Sequence, residues 1–395
     1  MSILASLRPL RRLDWSLVAA MLALLGIGIA FIFSAGYGNP DPLFQSLFRK
    51  QLYWAVLGLL FFLWFAIIDY HRWTRLAWWL YAIGLILLVL VFVPHIGYKM
   101  YGARRWLQLA GIRILQPAEL MKLAVIILLA RLFGWPGRNL RRGRLVIFGL
   151  ALVLAPMALI IKQPDMGTAL VLLPILAGVM WAAGVPGRRL AGWAALGLVL
   201  AGGVLALIII PPKLGMDEHS HERLMRRIGI SPYQRDRIAV FLDRDRDPLG
   251  AGWNKAQSQI AVGSGRLMGK GYLQGTQNLL GYLPRTVAPN DFIFSVIAEE
   301  KGFAGCAVTL ALFGVLLVAL LRAAQEAADK MGRLLCVGIA TMLFCHVFIN
   351  IAMTIGLLPV TGIPLPLISY GGTFMIGTMS ALGIVQSVYI RGEWR

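Results

Sequence analysis

Runs of about twenty apolar residues recur along this chain, and each is long enough to cross the hydrocarbon core of a bilayer. They fall at about 13–34, 50–68, 76–93, 117–133 and 145–161. Others run from Gln163-Pro164-Asp165 to Gly184, and at about 191–210, 303–321, 334–355 and 373–390. Backbone inside lipid must satisfy its own hydrogen bonds, so each run is expected to be a helix. Charged residues are 14% of the chain and hydrophobic ones 58%, against roughly 25% charge in soluble domains. The expectation is an all-α polytopic membrane protein of about ten transmembrane helices. One membrane domain spans 1–395, with a single large extracytoplasmic loop at about 211–290. Arg8, Arg11 and Arg12 precede the first run, which is long and reads as a retained span.

The formal charge of +20 belongs largely to topology. Short loops rich in Arg and Lys face the cytoplasm, and here they are 71–75, 131–144, 188–189, 322–333 and the end of the chain. That places both termini in the cytoplasm and the long loop outside. With no soluble basic module interleaved with aromatic residues, nucleic acid is set aside and membrane lipid is the expected surrounding. Cys306, Cys336 and Cys345 all lie in apolar runs, so neither a disulfide framework nor a C-x-x-C metal site is indicated. The five histidines show no metal-binding spacing.

Four polar clusters fall on the outer side. One is Gly102-Ala-Arg-Arg-Trp106. The next is Gln116-Pro-Ala-Glu-Leu-Met-Lys122, where Pro117 suits the first turn of a helix and Glu119 shares a face with Lys122. A third is Lys162-Gln-Pro-Asp-Met-Gly-Thr168. The fourth is the long loop, with its glycine-rich run Gln257 to Gly265, Gly269-Lys-Gly271, and Asn290-Asp-Phe-Ile-Phe294. Two readings stand for Glu119 and Lys122: an ion pair that braces helices, or part of a ligand site, since ionisable groups within spans must face a partner or cavity. Asp165 reads either as a helix cap or as a site residue. The glycines 263–271 read as turns rather than a P-loop. An anionic head group carrying a lipid tail would suit such an interface.

These stretches resemble the SEDS family, the RodA/FtsW proteins. The likeness rests on Gly102 to Trp106, Gln116 to Lys122, Gln163 to Thr168, Asp247-Pro-Leu-Gly-Ala-Gly-Trp-Asn254 onward to Phe294, and Pro364-Leu-Pro-Leu-Ile-Ser-Tyr-Gly-Gly372. It covers nearly the whole chain in one order. Asp247-Pro-Leu-Gly250 and Gly275-Thr-Gln277 are more similar to the RodA branch. The resemblance implies a peptidoglycan glycosyltransferase of the bacterial inner (cytoplasmic) membrane. Such an enzyme polymerises lipid II, a disaccharide-pentapeptide on undecaprenyl pyrophosphate, into β-1,4 glycan during cell elongation. It also implies a class B penicillin-binding protein transpeptidase and the elongation machinery as partners, and a divalent cation, Mg or Mn. The family's essential aspartate corresponds to Asp291. The family usually reads Leu-Pro-Glu, one residue, His-Thr and then that aspartate. Here Leu283-Pro284 is followed by Arg285-Thr-Val-Ala-Pro-Asn290, two residues longer and without the glutamate and histidine.

A sugar hydroxyl is a weak nucleophile, so a carboxylate acting as general base would help it attack the anomeric carbon. Asp291 is the candidate, and a single displacement inverts the centre. The departing pyrophosphate gathers charge and needs cations set in advance: Arg104, Arg105, Lys122 and Lys270 are candidates. Glu119 and Asp165 would orient those cations or hold the metal. Two other classes compete. A lipid II flippase would need a polar path through the membrane with alternating openings, and a non-enzymatic scaffold would need no carboxylate at Asp291.

Overall fold

In the computed structural model the described residues are 12–37, 41–100, 103–109, 112–137, 143–227, 232–242, 250–284 and 287–392. The motif Asp247 to Pro248, the basic stretch 138–142, Gly102, and Arg285 with Thr286 lie outside them. The helices are α1 (Trp15–Gly36), α2 (Pro42–Gln45), α3 (Leu47–Ile67), α4 (Tyr70–Arg75), α5 (Ala77–Leu90), α6 (Pro117–Gly134), α7 (Gly143–Lys162), α8 (Met166–Ala183) and α9 (Gly187–Lys213). After them come α10 (Glu218–Arg227), α11 (Pro232–Leu242), α12 (Ala251–Ser264), α13 (Thr276–Leu279), α14 (Ile293–Gln325), α15 (Lys330–Thr354) and α16 (Gly372–Ile390).

Eight of these are long and apolar enough to span a membrane. Two more lie at expected spans. Helix α5 is apolar but has only 14 residues, and α6 carries Glu119, Lys122 and Arg131. A helical membrane protein is therefore what the chain forms.

Local chemistry explains the helix ends. Asp14 caps α1 by accepting from the backbone N–H of Ser16 and Leu17. Pro117 opens α6, where a missing N–H costs nothing. Asp329 caps α15, and Gly184 ends α8 in the left-handed region. Ion pairs and backbone contacts gather at one end of the bundle. There His71 bridges Asp69 at 2.8 Å and Asp329 at 3.0 Å, Arg322 meets Asp14, Arg131 reaches the carbonyls of Thr74 and Arg75, and Arg391 those of Ala66 and Ile67. Also there, the backbone N–H of Asp14 donates to Gln386 Oε1 at 3.1 Å, while Gln386 Nε2 donates back to Asp14 O at 3.0 Å. That pairing joins α1 to α16. Burial is uneven: the apolar stretch of α16 is 89% buried and that of α9 only 6%.

Three expectations change. First, the link between α5 and α6 is a three-stranded antiparallel sheet, β1 (Gly97–Met100), β2 (Ala103–Leu109) and β3 (Ile112–Leu115). Second, the interval 211–290 is not an open loop: α9 runs on to Lys213, and α10 to α13 occupy much of the rest. Helix α12 packs back on the bundle, with Ser258 Oγ 2.7 Å from Ser295 Oγ and donating to Thr354 O. Third, α14 begins at Ile293, ten residues before the expected span, and breaks at Gly302 (φ 65°) into 293–301 and 303–325. The charges of Glu299, Glu300 and Lys301 masked the first segment, since they look like loop in a hydropathy profile. Glu299 and Glu300 are nonetheless buried.

Candidate active site at the start of helix α14

Asp291 sits in the turn that leads into α14, at the end of the bundle away from His71. Its backbone is pinned on both sides. Asn350 Nδ2, on α15, donates to Asp291 O at 2.9 Å and to Ile363 O at 2.7 Å. Ser369 Oγ donates to Asn290 O at 2.6 Å, and Tyr370 N donates to Pro289 O. Phe292 and Ile293 are fully buried. With the main chain fixed by core packing, the half-buried Asp291 side chain takes its direction from the scaffold, as a reacting group requires.

That side chain faces Gly362. A Cβ at Gly362 would lie 3.4 Å from Asp291 Oδ2 and 3.5 Å from Arg237 Nη1. Gly362 has φ +76°, where glycine is the residue that carries no strain. Arg237 comes from α11, within the interval first read as loop. Burial pushes the Asp291 carboxyl above its ordinary range; Arg237 and, after it, Arg105 oppose that rise, and Asp165 adds to it.

Arg104 and Arg105 are neighbours on β2, and Arg105 is the extra residue of a bulge: Tyr98 pairs with Trp106 and Lys99 with Arg104. A bulge re-aims a side chain, and the structure separates the two arginines. Arg104 is exposed. Arg105 donates to the carbonyl of Pro164 and stands 4.0 Å from Asp165 Oδ1. Asp165 takes the capping role expected of it and makes one further bond. It caps α8 by accepting from Thr168 N at 3.3 Å, and its second oxygen accepts from Gln116 Nε2 at 3.2 Å. Gln116 lies just ahead of α6, so Asp165 ties α6, α8 and the sheet together beside Asp291.

Glu119 and Lys122 pair at 2.8 Å, both buried. Lys122 also donates to His346 Nε2 at 2.7 Å. An ammonium has no acceptor, so Nε2 must accept and the imidazole proton lies on Nδ1. The His346 ring stacks on Phe374 at 5.2 Å, and Lys122 lies 5.6 Å from the same ring. Glu119 is within electrostatic reach of Asp165, which links this dry group to the Asp291 group.

Lys270 is placed elsewhere. It pairs with Glu299 Oε1 at 2.6 Å, and that same oxygen accepts from Thr276 Oγ1 and Gln277 N. Next to it, Glu300 accepts from Ser34 Oγ and Leu273 N. The structure thus brings Asp291, Arg105 and Asp165 together, with Glu119 and Lys122 beneath them. It leaves Arg104 at the surface and Lys270 at the far end of segment 293–301.

Sequence reasoning missed Arg237, His346 and Asn350. The run Tyr233-Gln-Arg-Asp-Arg237 was a visible polar signal, but nothing in it marks which arginine comes to lie beside Asp291. His346 and Asn350 stand alone in apolar runs, where the lack of a lipid-compatible role was the available clue. As for a divalent cation, among the described residues no three His, Cys, Asp or Glu side chains gather as ligands. Asp165 and Glu119 each face a cation of the protein, as does Asp291. The donor set does not form a cage, and no step is routed through a metal.

Residues 15–392 match the model of a family described as cell cycle protein, FtsW/RodA/SpoVE. The chain is 32% identical over 435 residues to peptidoglycan glycosyltransferase RodA of Treponema pallidum (strain Nichols), covering 98% of this chain and 99% of that one. It is 36% identical over 381 residues to peptidoglycan glycosyltransferase MrdB of Escherichia coli (strain K12), covering 95% and 93%. Among solved structures, a chain described under the structural coordination of polymerization and crosslinking by a peptidoglycan synthase complex superposes with a TM-score of 0.73, at 32% identity over 95% of this chain and 97% of that one. The rod shape determining protein RodA of Thermus thermophilus superposes with a TM-score of 0.66, at 29% identity over 97% and 98%.

Proposed function

This chain belongs to the FtsW/RodA/SpoVE family and is a peptidoglycan glycosyltransferase of the RodA kind, and within that activity we propose that Asp291 is the general base that activates the acceptor sugar in lipid II polymerisation. What carries the reading is the way Asp291 is held. Its carboxylate is partly open, aimed by a main chain fixed at both neighbours, and faced by Arg237 and Arg105.

The chemistry follows from charge. The acceptor hydroxyl gives its proton to Asp291 as its oxygen bonds to the anomeric carbon. The bond from that carbon to the diphosphate breaks, and the centre inverts. Cations fixed before the reaction stabilise the leaving charge without having to reorganise. Arg105 is held by Asp165 and by the carbonyl of Pro164, so its place beside the site is set. Lys122 acts from beneath, holding Glu119 and His346 and, through them, the start of α6 against α15. The polyprenyl tails lie in lipid along the bundle. The end of the bundle that bears Asp291 faces outward, where lipid II is polymerised. A class B penicillin-binding protein of the elongation machinery crosslinks the product. The superposition on a chain from a polymerising and crosslinking complex supports that partner.

The test is polymerisation of purified lipid II by the full chain, with and without its cognate class B partner, beside Asp291→Asn. Long glycan from the wild type and none from the variant is the expected result. Normal polymer from Asp291→Asn would remove Asp291 from the mechanism.

A further inference from the structure

Arg237 lies on α11, a helix outside the row of membrane spans, yet its guanidinium enters the site. Both of its terminal nitrogens and Asp291 Oδ2 border the same small space at Gly362, at 3.5, 3.8 and 3.4 Å from where a Cβ would stand. Packing fixes α11 there. Gln234 Nε2 donates to Ile161 O at the end of α7 at 3.2 Å, Lys255 on α12 donates to Phe241 O at 3.2 Å, and Ala239 and Val240 are buried. The two arginines near Asp291 differ in what they face. Arg105 is matched by Asp165, whereas Arg237 borders the space at Gly362 together with Asp291 and lowers the Asp291 pKa from there.

We infer that Arg237 is a further catalytic residue: it binds the diphosphate of the donor lipid as it departs, from its place beside the Asp291 carboxylate at Gly362. This rests on the reading of Asp291 as the base. The charges balance. The hydroxyl proton passes to Asp291, which goes from −1 to neutral. The electron pair of the broken carbon–oxygen bond stays on the diphosphate, which gains one negative charge. Negative charge therefore leaves the Asp291 side of Arg237 in the same step that creates it on the diphosphate. A planar guanidinium can hold a carboxylate or a phosphate through parallel N–H donors, whereas an ammonium offers only a point charge. Before the step, Arg237 opposes the rise that burial imposes on the Asp291 pKa; after it, the same group holds the product.

The experiment uses the full chain with its class B partner and purified lipid II. Rates are followed from about pH 5 to 9 for the wild type, Arg237→Lys, Arg237→Ala and Asp291→Asn, together with inhibition by undecaprenyl pyrophosphate. Removing one donor of this kind costs about 10²–10³-fold in kcat, and that loss is expected for Arg237→Ala. Its ascending pH limb should move to higher pH, because the cation that opposes the rise in the Asp291 pKa is gone. Undecaprenyl pyrophosphate should inhibit it at least about tenfold more weakly, and Arg237→Lys should recover part of each effect. Inhibition equal to wild type in Arg237→Ala overturns the inference whatever the rate, because a mere brace would leave product binding alone. If Arg237→Ala does not fold, the same inhibition measured on Arg237→Lys decides. Wild-type polymerisation by Asp291→Asn would instead overturn the base, and weakened inhibition in the Arg237 variants would still be read separately.

Discussion

Segment 293–301 begins beside one carboxylate and ends with two more, and their surroundings differ. At its start Asp291 is half-buried and shares a space with Arg237. At its end Glu299 is fully buried, with one oxygen taking Lys270, Thr276 and the backbone of Gln277, while Glu300 is held by Ser34 and Leu273. The far end spends its charge on holding the 269–279 connection against the bundle. The near end fixes the backbone through Asn350 and Ser369 and leaves the half-buried carboxylate beside Arg237 and Gly362. Local sequence chemistry is alike at both ends; what separates them is whether hydrogen bonds terminate on the side chain or on the main chain.

The strongest way to break this contrast is Asp291→Asn. Polymerisation should fall by about 10²–10⁴-fold, the range general bases contribute, while folding is kept. The sign for stability is worked from the raised pKa. A carboxyl that holds its proton more tightly folded than unfolded loses stability as pH rises through its folded pKa. At neutral pH the amide should therefore melt at or above the wild-type temperature. A large drop in melting temperature would mean that Asp291 is a structural group like Glu299.

Lys270→Ala probes the other end. Leaving a buried carboxylate without its partner costs about 3–5 kcal/mol, and because Lys270 is partly exposed the low end is expected. Activity per folded molecule should stay near wild type. If polymerisation falls at an unchanged melting temperature, Lys270 belongs with the reacting group.

Gly362→Ala sharpens the contrast without removing any charge. The left-handed backbone costs alanine about 1 kcal/mol, and the methyl would occupy the space that Asp291 and Arg237 border, in ordinary contact with both. Activity should fall about tenfold with a small change in melting. Equal activity would show that the space at Gly362 is not used.

The smallest effect is expected from Arg104→Ala, within about twofold of wild type, since surface changes away from special features are close to neutral. Arg105→Ala, one residue on, should cost far more and serves as its control. Similar losses from both would contradict the separation that the bulge at Arg105 produces.

Much of this was readable in the chain. Apolar runs located the spans, Pro117 and Asp165 marked helix starts, and the i,i+3 spacing of Glu119 and Lys122 produced the pair observed. Where the reading failed, the reason was long-range satisfaction of polar groups. Glu299 and Glu300 looked too charged to be buried, because their partners Lys270, Thr276 and Ser34 lie far along the chain. The glycine-rich run after Gln257 suggested a loop, but Ser258 finds Ser295 and Thr354, which makes a packed helix of it. Arg237 could not be told from Arg235 by sequence: Arg235 is buried against Glu222 and Asp236, and only the placement of α11 brings the other to Gly362 beside Asp291. The strands 97–115 were hidden in a link too short and polar to register against its apolar neighbours.

The mutual hydrogen bonds of Asp14 and Gln386 set a timetable for assembly. The two residues are 372 positions apart. At the usual pace of synthesis, about 5–20 residues per second, the first span waits roughly 20–75 seconds for the group that completes its start. During that interval α1 can already pack on α3, its neighbour in the finished bundle, and only the tie to α16 waits for the last helix. A ribosome stalled before Gln386 would therefore hold a chain whose first helix lacks the side chain that pairs with Asp14.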